Sequence, residues 1–228
     1  MAMPVDAVVI LTKAPEPGQS KTRLVPPLSA GEAAEIAKAL LIDQLENVAG
    51  IDGVERYIAY TPESAASFFE ALAPPAFRSF SQEGTSLGER MSHAFEYLFA
   101  RGFQNVILIG SDLPPIPHAF VHQSFALLRG GEAHVVVGPS ADGGYYLVGM
   151  NSPSCAIFDG ISWSRDDVLM RTLEKVTSLN LKYELLPSWY DIDTASDLTR
   201  LQSELNRGGA AMKNTSALLH ALKRRGRL

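Results

Sequence analysis

Three cations, Lys13, Lys21 and Arg23, follow a short apolar run in a loop that is rich in proline and glycine. Lysine supplies a point charge and arginine a planar fork, and both suit phosphate oxygens. A glycine such as Gly18 lets the backbone approach a ligand closely. The spacing is neither that of a Walker A loop nor that of a Rossmann fingerprint. We therefore predict a phosphate-binding loop rather than an ordinary basic surface loop, with nucleotide-binding residues Lys13, Ala14, Pro15, Gly18, Lys21, Thr22 and Arg23.

Carboxylates that could hold a divalent cation occur at two places. Asp112 comes shortly after the apolar residues 106–109, which are typical of a central strand. Asp191 and Asp193 alternate along an extended segment, so both side chains would point to one side and repel each other unless a cation compensates. Carboxylate oxygens are ligands that suit Mg²⁺ and Mn²⁺. We predict Asp112, Asp191 and Asp193 as metal ligands, and capping of a helix or turn is the alternative for Asp112 and Asp193.

A glycine-containing turn and a tryptophan could face a substrate. The paired glycines of Asp142-Gly-Gly-Tyr145 precede a short apolar run, and such a pair allows close approach to a ligand. A plain tight turn between strands is the alternative. Trp163 could stack on a base or a sugar, or could belong to the core. The predicted substrate-binding residues are Asp142, Gly143, Gly144, Tyr145 and Trp163.

Residues 82–90 form a polar, glycine-containing loop that leads into a helix. Three of its residues, Gln82, Gly88 and Arg90, are predicted to contact the base or the sugar of a nucleotide. The alternative is that the segment is only a capped helix start.

Strands and helices that could position these residues alternate along the chain. This order predicts an α/β fold with a mainly parallel sheet and helices on both faces. Ligands of such sheets bind beyond the carboxyl ends of the strands. Strands are predicted at residues 5–11, 54–60, 76–81, 106–109, 135–137, 145–148 and 183–186, and helices at 30–48, 62–72, 86–100, 117–128, 166–176, 193–206 and 215–223.

The composition restricts the class of protein. With 228 residues, of which 46% are hydrophobic, the chain fits one sizeable domain. A net charge of −5 argues against general binding of nucleic acid, and a single cysteine, Cys155, excludes an intrachain disulfide and a thiolate zinc site. The chain begins without a basic leader and has no apolar stretch long enough to cross a bilayer, so we expect a cytoplasmic protein with no membrane partner. The C-terminal cations have no acid near them in the sequence, and we interpret them as a solvated helix end: Lys213, Lys223, Arg224, Arg225 and Arg227.

Five motifs occur in one order: Lys13-Ala-Pro-x-Pro-Gly18 with Lys21-Thr-Arg-Leu24, Leu87-Gly-Glu-Arg-Met91, Gly110-Ser-Asp-Leu-Pro114, Asp142-Gly-Gly-Tyr-Tyr-Leu147, and Asp191-Ile-Asp-Thr194 with Asp197-Leu198. Together, over about residues 5–205, they resemble a bacterial and archaeal family once described as a domain of unknown function. Its members are now usually named glycosyltransferases linked to arsenosugar biosynthesis or to selenium-associated clusters. The family is similar to the 2-phospholactate and molybdenum-cofactor guanylyltransferases.

The resemblance implies a GT-A fold, that of nucleotide-diphospho-sugar transferases, with three α/β/α layers. It implies a transferase domain over residues 1–206 and a basic helical extension of that domain over 207–228. Lys21 and Arg23 would hold the phosphates of a nucleotide-activated donor, Asp112 would be the first ligand of Mg²⁺ or Mn²⁺, and Asp191 or Asp193 the second. Asp142 could act as base toward a small-molecule acceptor.

Two reactions and one binding role remain as hypotheses. Glycosyltransferases of this fold usually carry Asp-x-Asp at the metal strand, whereas this chain has Ser111-Asp112-Leu113. That difference resembles the nucleotidyltransferases. We favour metal-dependent transfer of a sugar from a nucleotide sugar, with nucleotidyl transfer to a phosphorylated small molecule as the alternative. A non-catalytic nucleotide-binding protein is the second alternative.

Overall fold

The computed structural model describes residues 5–207 and 212–227. The strands are β1 (Asp6–Lys13), β2 (Glu55–Thr61), β3 (Phe77–Ser81), β4 (Asn105–Gly110), β5 (Val135–Pro139), β6 (Tyr145–Met150) and β7 (Tyr183–Leu185). The helices are α1 (Ala30–Ala49), α2 (Ala66–Leu72), α3 (Leu87–Phe99), α4 (His118–Arg129), α5 (Val168–Ser178), α6 (Ala195–Asn206) and α7 (Lys213–Arg224). Short 3₁₀ turns occur at Thr22–Leu24, Glu63–Ala65 and Cys155–Phe158.

The seven strands form one sheet in the order β3-β2-β1-β4-β6-β5-β7. Strand β6 pairs antiparallel with β4 and β5, and the other pairings of these strands are parallel. The start of β6 therefore lies beside the carboxyl ends of its neighbours, at what we call the carboxyl edge of the sheet.

Both faces of the sheet are covered by helices. Along β1, Val8 and Ile10 pack into a core with α1, α2 and α4, while Ala7 and Val9 face the core formed with α3 and α5. All four of these side chains are fully buried. A strand that is covered on both sides must be apolar at every position, which explains its continuous apolar run. The predicted three-layer arrangement with a mainly parallel sheet is confirmed.

All of the predicted strands and helices are present, with ends that differ by a few residues. Helix α1 begins with a reciprocal capping box formed by Ser29 and Glu32. Helix α6 begins at Ala195 rather than at 193, because the hydroxyl of Thr194 accepts the N–H of Asp197 and caps it. The 3₁₀ turns at Thr22–Leu24 and Cys155–Phe158 were not predicted. None of the helices in the described residues is long and apolar enough to span a membrane.

Helix α7 packs against α1 and is fixed at its start by Asp43, which is 1% exposed. The Asp43 carboxylate accepts hydrogen bonds from the backbone N–H groups of Asn214 and Thr215, at 3.0 and 2.8 Å, and from the Asn214 amide. These groups belong to the first turn of α7, where helical carbonyls are missing. The predicted extension 207–228 is described except for residues 208–211 and 228.

The end of α7 corrects one expectation about the C-terminal cations. Arg227 forms a salt bridge with Glu32 of α1 at 3.1 Å, so one of these cations does have an acidic partner. The sequence did not reveal the pair because its members are separated by 195 residues.

Replacing Asp43 with alanine should destabilise the fold. The substitution leaves two N–H groups of the first turn of α7 without an acceptor, and we expect the free energy of unfolding in urea to fall by about 2 kcal/mol. Asp52→Ala, which removes an exposed carboxylate from the turn after α1, should stay within about 0.5 kcal/mol of the wild type. Equal stability of the two variants would contradict the role of Asp43.

Candidate functional site

A buried lysine joins two acids at the carboxyl edge of the sheet. The Lys21 ammonium lies 3.0 Å from Asp112 Oδ2 and 2.9 Å from Asp193 Oδ1. The Lys21 side chain is only 2% exposed, whereas those of Asp112 and Asp193 are 57% and 41% exposed. The ammonium is therefore enclosed by protein on one side while its two partners face solvent.

Three segments of the chain meet at this cluster. Lys21 comes from the loop after β1, Asp112 follows β4, and Asp193 precedes α6. A backbone hydrogen bond of 2.9 Å from the N–H of Ile192 to the carbonyl of Asp112 ties the last two segments together. The Trp189 indole adds a second tie, because it donates to the Pro114 carbonyl at 2.9 Å.

The backbone of Lys21 is held in an unusual conformation. Its φ and ψ of 50° and 41° lie in the left-handed region, which costs a non-glycine residue free energy. The 3₁₀ turn that follows buries Leu24 in the cluster between α1, α6 and α7. The burial of Leu24 and the contacts of Lys21 with the two carboxylates compensate the free energy cost of this conformation. They hold the Lys21 side chain toward the interior.

Charge explains why Lys21 stays protonated despite its burial. Desolvation alone would lower the pKa of Lys21, but Asp112 and Asp193 outweigh it and hold that pKa above its ordinary value. Arg23 is 75% exposed and lies 3.9 Å from the other oxygen of Asp193. The loop thus contributes Lys21, whose ammonium is fixed, and Arg23, whose exposed side chain is free to reach a ligand.

A cavity of about 340 Å³, the first cavity, opens beside Lys21 along the ends of β1 and β4 and the start of β6. Four of the predicted nucleotide-binding residues line it: Lys13, Lys21, Gln82 and Arg90. Gln19 and Ser20, which were not predicted, line it as well. Of the other predicted residues, Arg23 lines the second cavity described below, while Ala14, Pro15, Gly18, Thr22 and Gly88 are not among the residues that line either cavity.

The Gln82 side chain is fixed by two backbone acceptors. Its amide nitrogen donates to the carbonyls of Thr12 and Ala59, at 2.9 and 2.7 Å, and so bridges β1 and β2. Both acceptors require N–H donors, which leaves the amide oxygen of Gln82 as the group free for a ligand. Arg90 is fixed through one nitrogen, with Nε donating to the Gly84 carbonyl at 3.1 Å.

A second cavity, of about 460 Å³, adjoins the first, and both are lined by Leu87 and Tyr145. The second cavity is strongly polar, with four carboxylates and two guanidinium groups. These belong to Asp142, Asp166, Asp191 and Asp193, and to Arg23 and Arg165. Arg165 is already engaged by Asp167 at 3.2 Å. The environment of this cavity is therefore acidic.

The acids Asp191 and Asp193 occupy different surroundings. Asp191 accepts a hydrogen bond of 2.6 Å from the Ser140 hydroxyl, whereas Asp193 bonds Lys21. Burial raises the pKa of Asp191 to about 6, with Asp142 and Asp193 adding to the rise and the Ser140 hydrogen bond opposing it. The two acids were treated as equivalent in the sequence, and the structure brings Asp193 rather than Asp191 together with Asp112.

Residues 163–166 form one wall of the second cavity and rest on the predicted glycine turn. Gly143 has a φ of 90°, and a Cβ atom there would overlap the backbone carbonyl of Asp166. The Gly143 carbonyl also accepts the N–H of Leu169 at 2.9 Å. Asp142, Gly144, Tyr145 and Trp163 line the cavity, and Gly143 supports its wall from behind.

Gly88 has a packing role that the sequence did not reveal. A Cβ atom at Gly88 would come within 2.9 Å of Cζ2 and 3.1 Å of Nε1 of Trp163. The ring of Trp163 also meets Tyr145 edge to face, with centroids 6.5 Å apart. Gly88 thus makes room for the tryptophan that lines the second cavity. Ser140, Arg165 and Asp166 were also missed. The polar run after Trp163 was the available signal for Arg165 and Asp166.

Gly143→Ala should disturb the wall of the second cavity. The added methyl group meets the Asp166 backbone and the positive φ strains any other residue, so we expect a loss of about 2 kcal/mol or more in unfolding free energy. Gly144→Ala is the matched control, because its Cβ would contact only Asp142 Oδ1, at 3.3 Å. Equal urea midpoints for the two variants would show that the glycine turn does not support residues 163–166.

Comparisons with known proteins show the family and the fold of the chain. The family described as "uncharacterized protein conserved in bacteria" (DUF2064) matches residues 44–165, and no curated protein matches the chain. A crystal structure from Desulfovibrio desulfuricans G20, provisionally named a nucleotide-diphospho-sugar transferase, superposes with a TM-score of 0.89. It is 33% identical in sequence, over 97% of this chain and 96% of the other.

More distant structures share the fold. A cytidylyltransferase from Leptospira borgpetersenii has a TM-score of 0.61 and 16% identity, over 97% of this chain and 94% of the other. A 4-diphosphocytidyl-2C-methyl-D-erythritol synthase from Anaerococcus prevotii has a TM-score of 0.58 and 11% identity, over 90% and 98%. These structures confirm the predicted fold, and the 33% identical structure supports the predicted transferase class. The chain belongs to the DUF2064 family and has the nucleotide-diphospho-sugar transferase fold.

Proposed function

We propose that the protein transfers a sugar from a nucleotide sugar to a hydroxyl group of a small molecule. The observation that carries this proposal is the pair of adjoining cavities, with the Lys21 cluster in the first and an acidic lining in the second. A phosphorylated acceptor would be repelled by Asp142, Asp166 and Asp191. Hydroxyl groups, in contrast, donate hydrogen bonds to carboxylates and suit this lining.

The first cavity is suited to the nucleoside diphosphate of the donor. Lys21, together with Arg23 from the adjoining second cavity, would neutralise its phosphates, and Lys13 and Arg90 add two further cations along the first cavity. Gln82 would present its amide oxygen to a donor group of the base. These cations would also stabilise the negative charge that develops on the departing diphosphate.

Transfer would take place where the cavities meet. The acceptor oxygen would attack the anomeric carbon of the sugar, the bond from that carbon to the diphosphate oxygen would break, and the nucleoside diphosphate would leave. The acceptor proton would pass to a carboxylate of the second cavity. Asp142, which is exposed and bonded only to the neighbouring Gly144 N–H among the described residues, is our choice for that base.

We also propose that the reaction uses Mg²⁺ or Mn²⁺, held by Asp112 and Asp193. Mg²⁺ is often bound by one or two carboxylates together with substrate phosphates, and two exposed carboxylates on one ammonium fit that pattern. The bound cation would neutralise charge on the diphosphate. In the part of the chain that the structure describes, no three acidic, histidine or cysteine side chains converge on a metal site. Donor phosphates would therefore be required for tight binding.

Nucleotidyl transfer is the second candidate, because one observation favours it. Asp112 is the single carboxylate after β4, and Leu113 beside it is 1% exposed and packs in the core. The strand end thus lacks the acid pair that is usual in glycosyltransferases of this fold. In this reaction the acceptor would carry a phosphate, attack the α-phosphate of a nucleoside triphosphate and release pyrophosphate.

Binding of a nucleotide without turnover would support the non-catalytic alternative.

Some narrower expectations remain predictions. They are the link to arsenosugar or selenium clusters, the relationship to guanylyltransferases and a cytoplasmic location. None of them is needed for the proposed reaction.

A ligand panel read by thermal unfolding should identify the donor. We expect a midpoint shift with one nucleotide sugar and metal, since a ligand at about 100 times its Kd adds about 2.7 kcal/mol, or roughly 5–10 °C at this size. Asp112→Asn should lose the metal-dependent part of the shift. Asp142→Asn should keep the shift and slow the transfer, measured as release of nucleoside diphosphate with acceptor present.

The panel also separates the rival reactions. A shift with one nucleoside triphosphate alone, followed by pyrophosphate release, would establish nucleotidyl transfer instead. An Asp112→Asn variant with unchanged metal dependence would remove Asp112 from the metal site.

Metal binding should depend on the donor because Lys21 already neutralises part of the negative charge of Asp112 and Asp193. We expect Mn²⁺, followed by electron paramagnetic resonance, to bind the wild type at least tenfold more tightly with the matching nucleoside diphosphate than without it. Lys21→Met, which removes the charge at similar size, should bind Mn²⁺ alone more tightly and the nucleoside diphosphate about tenfold or more weakly. Equal Mn²⁺ affinity in both proteins without nucleotide would contradict this coupling.

A further inference from the structure

Strand β7 forms one edge of the sheet, and its outer side is uncovered in the described structure. Its one partner in the sheet is β5, and Tyr183, Glu184 and Leu185 are all exposed. A row of unpaired backbone groups at such an edge is a template for pairing with another strand.

The backbone directions at β7 show which groups are free. The carbonyl of Lys182 accepts the N–H of Val135, and the N–H of Leu186 donates to the carbonyl of Val137. Backbone groups alternate in direction along a strand, so Lys182, Glu184 and Leu186 face β5. The N–H and C=O of Tyr183 and Leu185 therefore point outward, away from the sheet.

Apolar side chains gather beside this open edge. Of the seven large apolar residues that are exposed in the described chain, four lie on β7, on α5 or just after α5. They are Met170, Leu179, Tyr183 and Leu185, with exposed fractions of 54%, 39%, 37% and 44%. Tyr183 and α5 together line a groove of about 630 Å³. Water-exposed apolar surface of this kind is stabilised when a partner covers it.

The charges along β7 fit a second copy of the same strand. In antiparallel pairing centred on Tyr183, the outward backbone groups of Tyr183 face those of the partner copy. The same register places Lys182 of one copy opposite Glu184 of the other, twice by symmetry. A register centred on Glu184 would instead bring two glutamates together, which destabilises a pair. In the described residues neither Lys182 nor Glu184 has a salt-bridge partner, so both are free for this pairing.

We propose that the protein forms a twofold dimer in which the β7 strands of two copies pair antiparallel. The two sheets then join into one, and the apolar side chains of the two α5 helices meet on one face of it. A strand of three residues is too short to hold a dimer alone, so the apolar contacts are needed as well. Such a twofold contact is self-complementary, which closes the assembly at two copies.

Sedimentation velocity over a range of protein concentrations tests the dimer. The wild type should approach twice the monomer mass of 24.7 kDa. Glu184→Lys and Lys182→Glu each replace two attractive pairs with two repulsive ones, and each should raise the dissociation constant about tenfold or more. The double variant Lys182→Glu/Glu184→Lys restores opposite charges and should return to within about threefold of the wild type.

A matched control separates this pairing from a general effect of charge. Glu70→Lys makes the same charge change on an exposed residue of α2, which packs beside β3 at the other edge of the sheet, and it should leave the dissociation constant unchanged. Thermal midpoints report whether each variant is folded. A wild type that is monomeric at every concentration overturns the proposal. Single variants that dimerise normally, or a double variant that does not recover, also overturn it.

Discussion

The candidate site depends on one interaction, the contact of the buried Lys21 ammonium with Asp112 and Asp193. Burial of an unpaired charge costs several kcal/mol, so the ammonium stays inside only because both carboxylates reach it. The contact joins residues 91 and 172 positions apart and fixes the loop after β1 against the ends of two other segments. Two carboxylates share one positive charge, which leaves the cluster with a net negative charge. That charge would attract the divalent cation that we propose.

The reversed direction of β6 gives the site its second half. If β6 ran parallel to β4, its first residue would lie at the opposite edge of the sheet from Asp112. Because it runs antiparallel, Tyr145 begins at the carboxyl edge, and the glycine turn before it supports residues 163–166. Tyr145 follows this turn at the carboxyl edge and lines both cavities. Topology, rather than any local motif, thus brings the second cavity next to the first.

Much of the fold could be predicted from the sequence because its signals are local. A few consecutive residues are enough to recognise the apolar run of β4, the capping box of Ser29 and Glu32, and the glycine turn. The contacts that define the site are not local. Gly88 was predicted as a nucleotide contact because it lies in a polar loop, and the sequence did not reveal that its missing side chain makes room for Trp163, which is distant in the chain. The pairing of Arg227 with Glu32 escaped prediction for the same reason.

The segment that contains Asp191 and Asp193 shows how two similar acids acquire different surroundings. Alternation along an extended chain predicts that both face the same side, and both do line the second cavity. They differ in the neighbour that each one meets. Asp191 lies beside the end of β5, where a neutral hydroxyl bonds it, whereas Asp193 lies past Ile192, whose N–H binds the Asp112 carbonyl. That backbone bond carries Asp193 to the end of β4, within reach of Lys21. The path of the backbone, and not the chemistry of the side chain, therefore determines that Asp193 rather than Asp191 contacts Lys21.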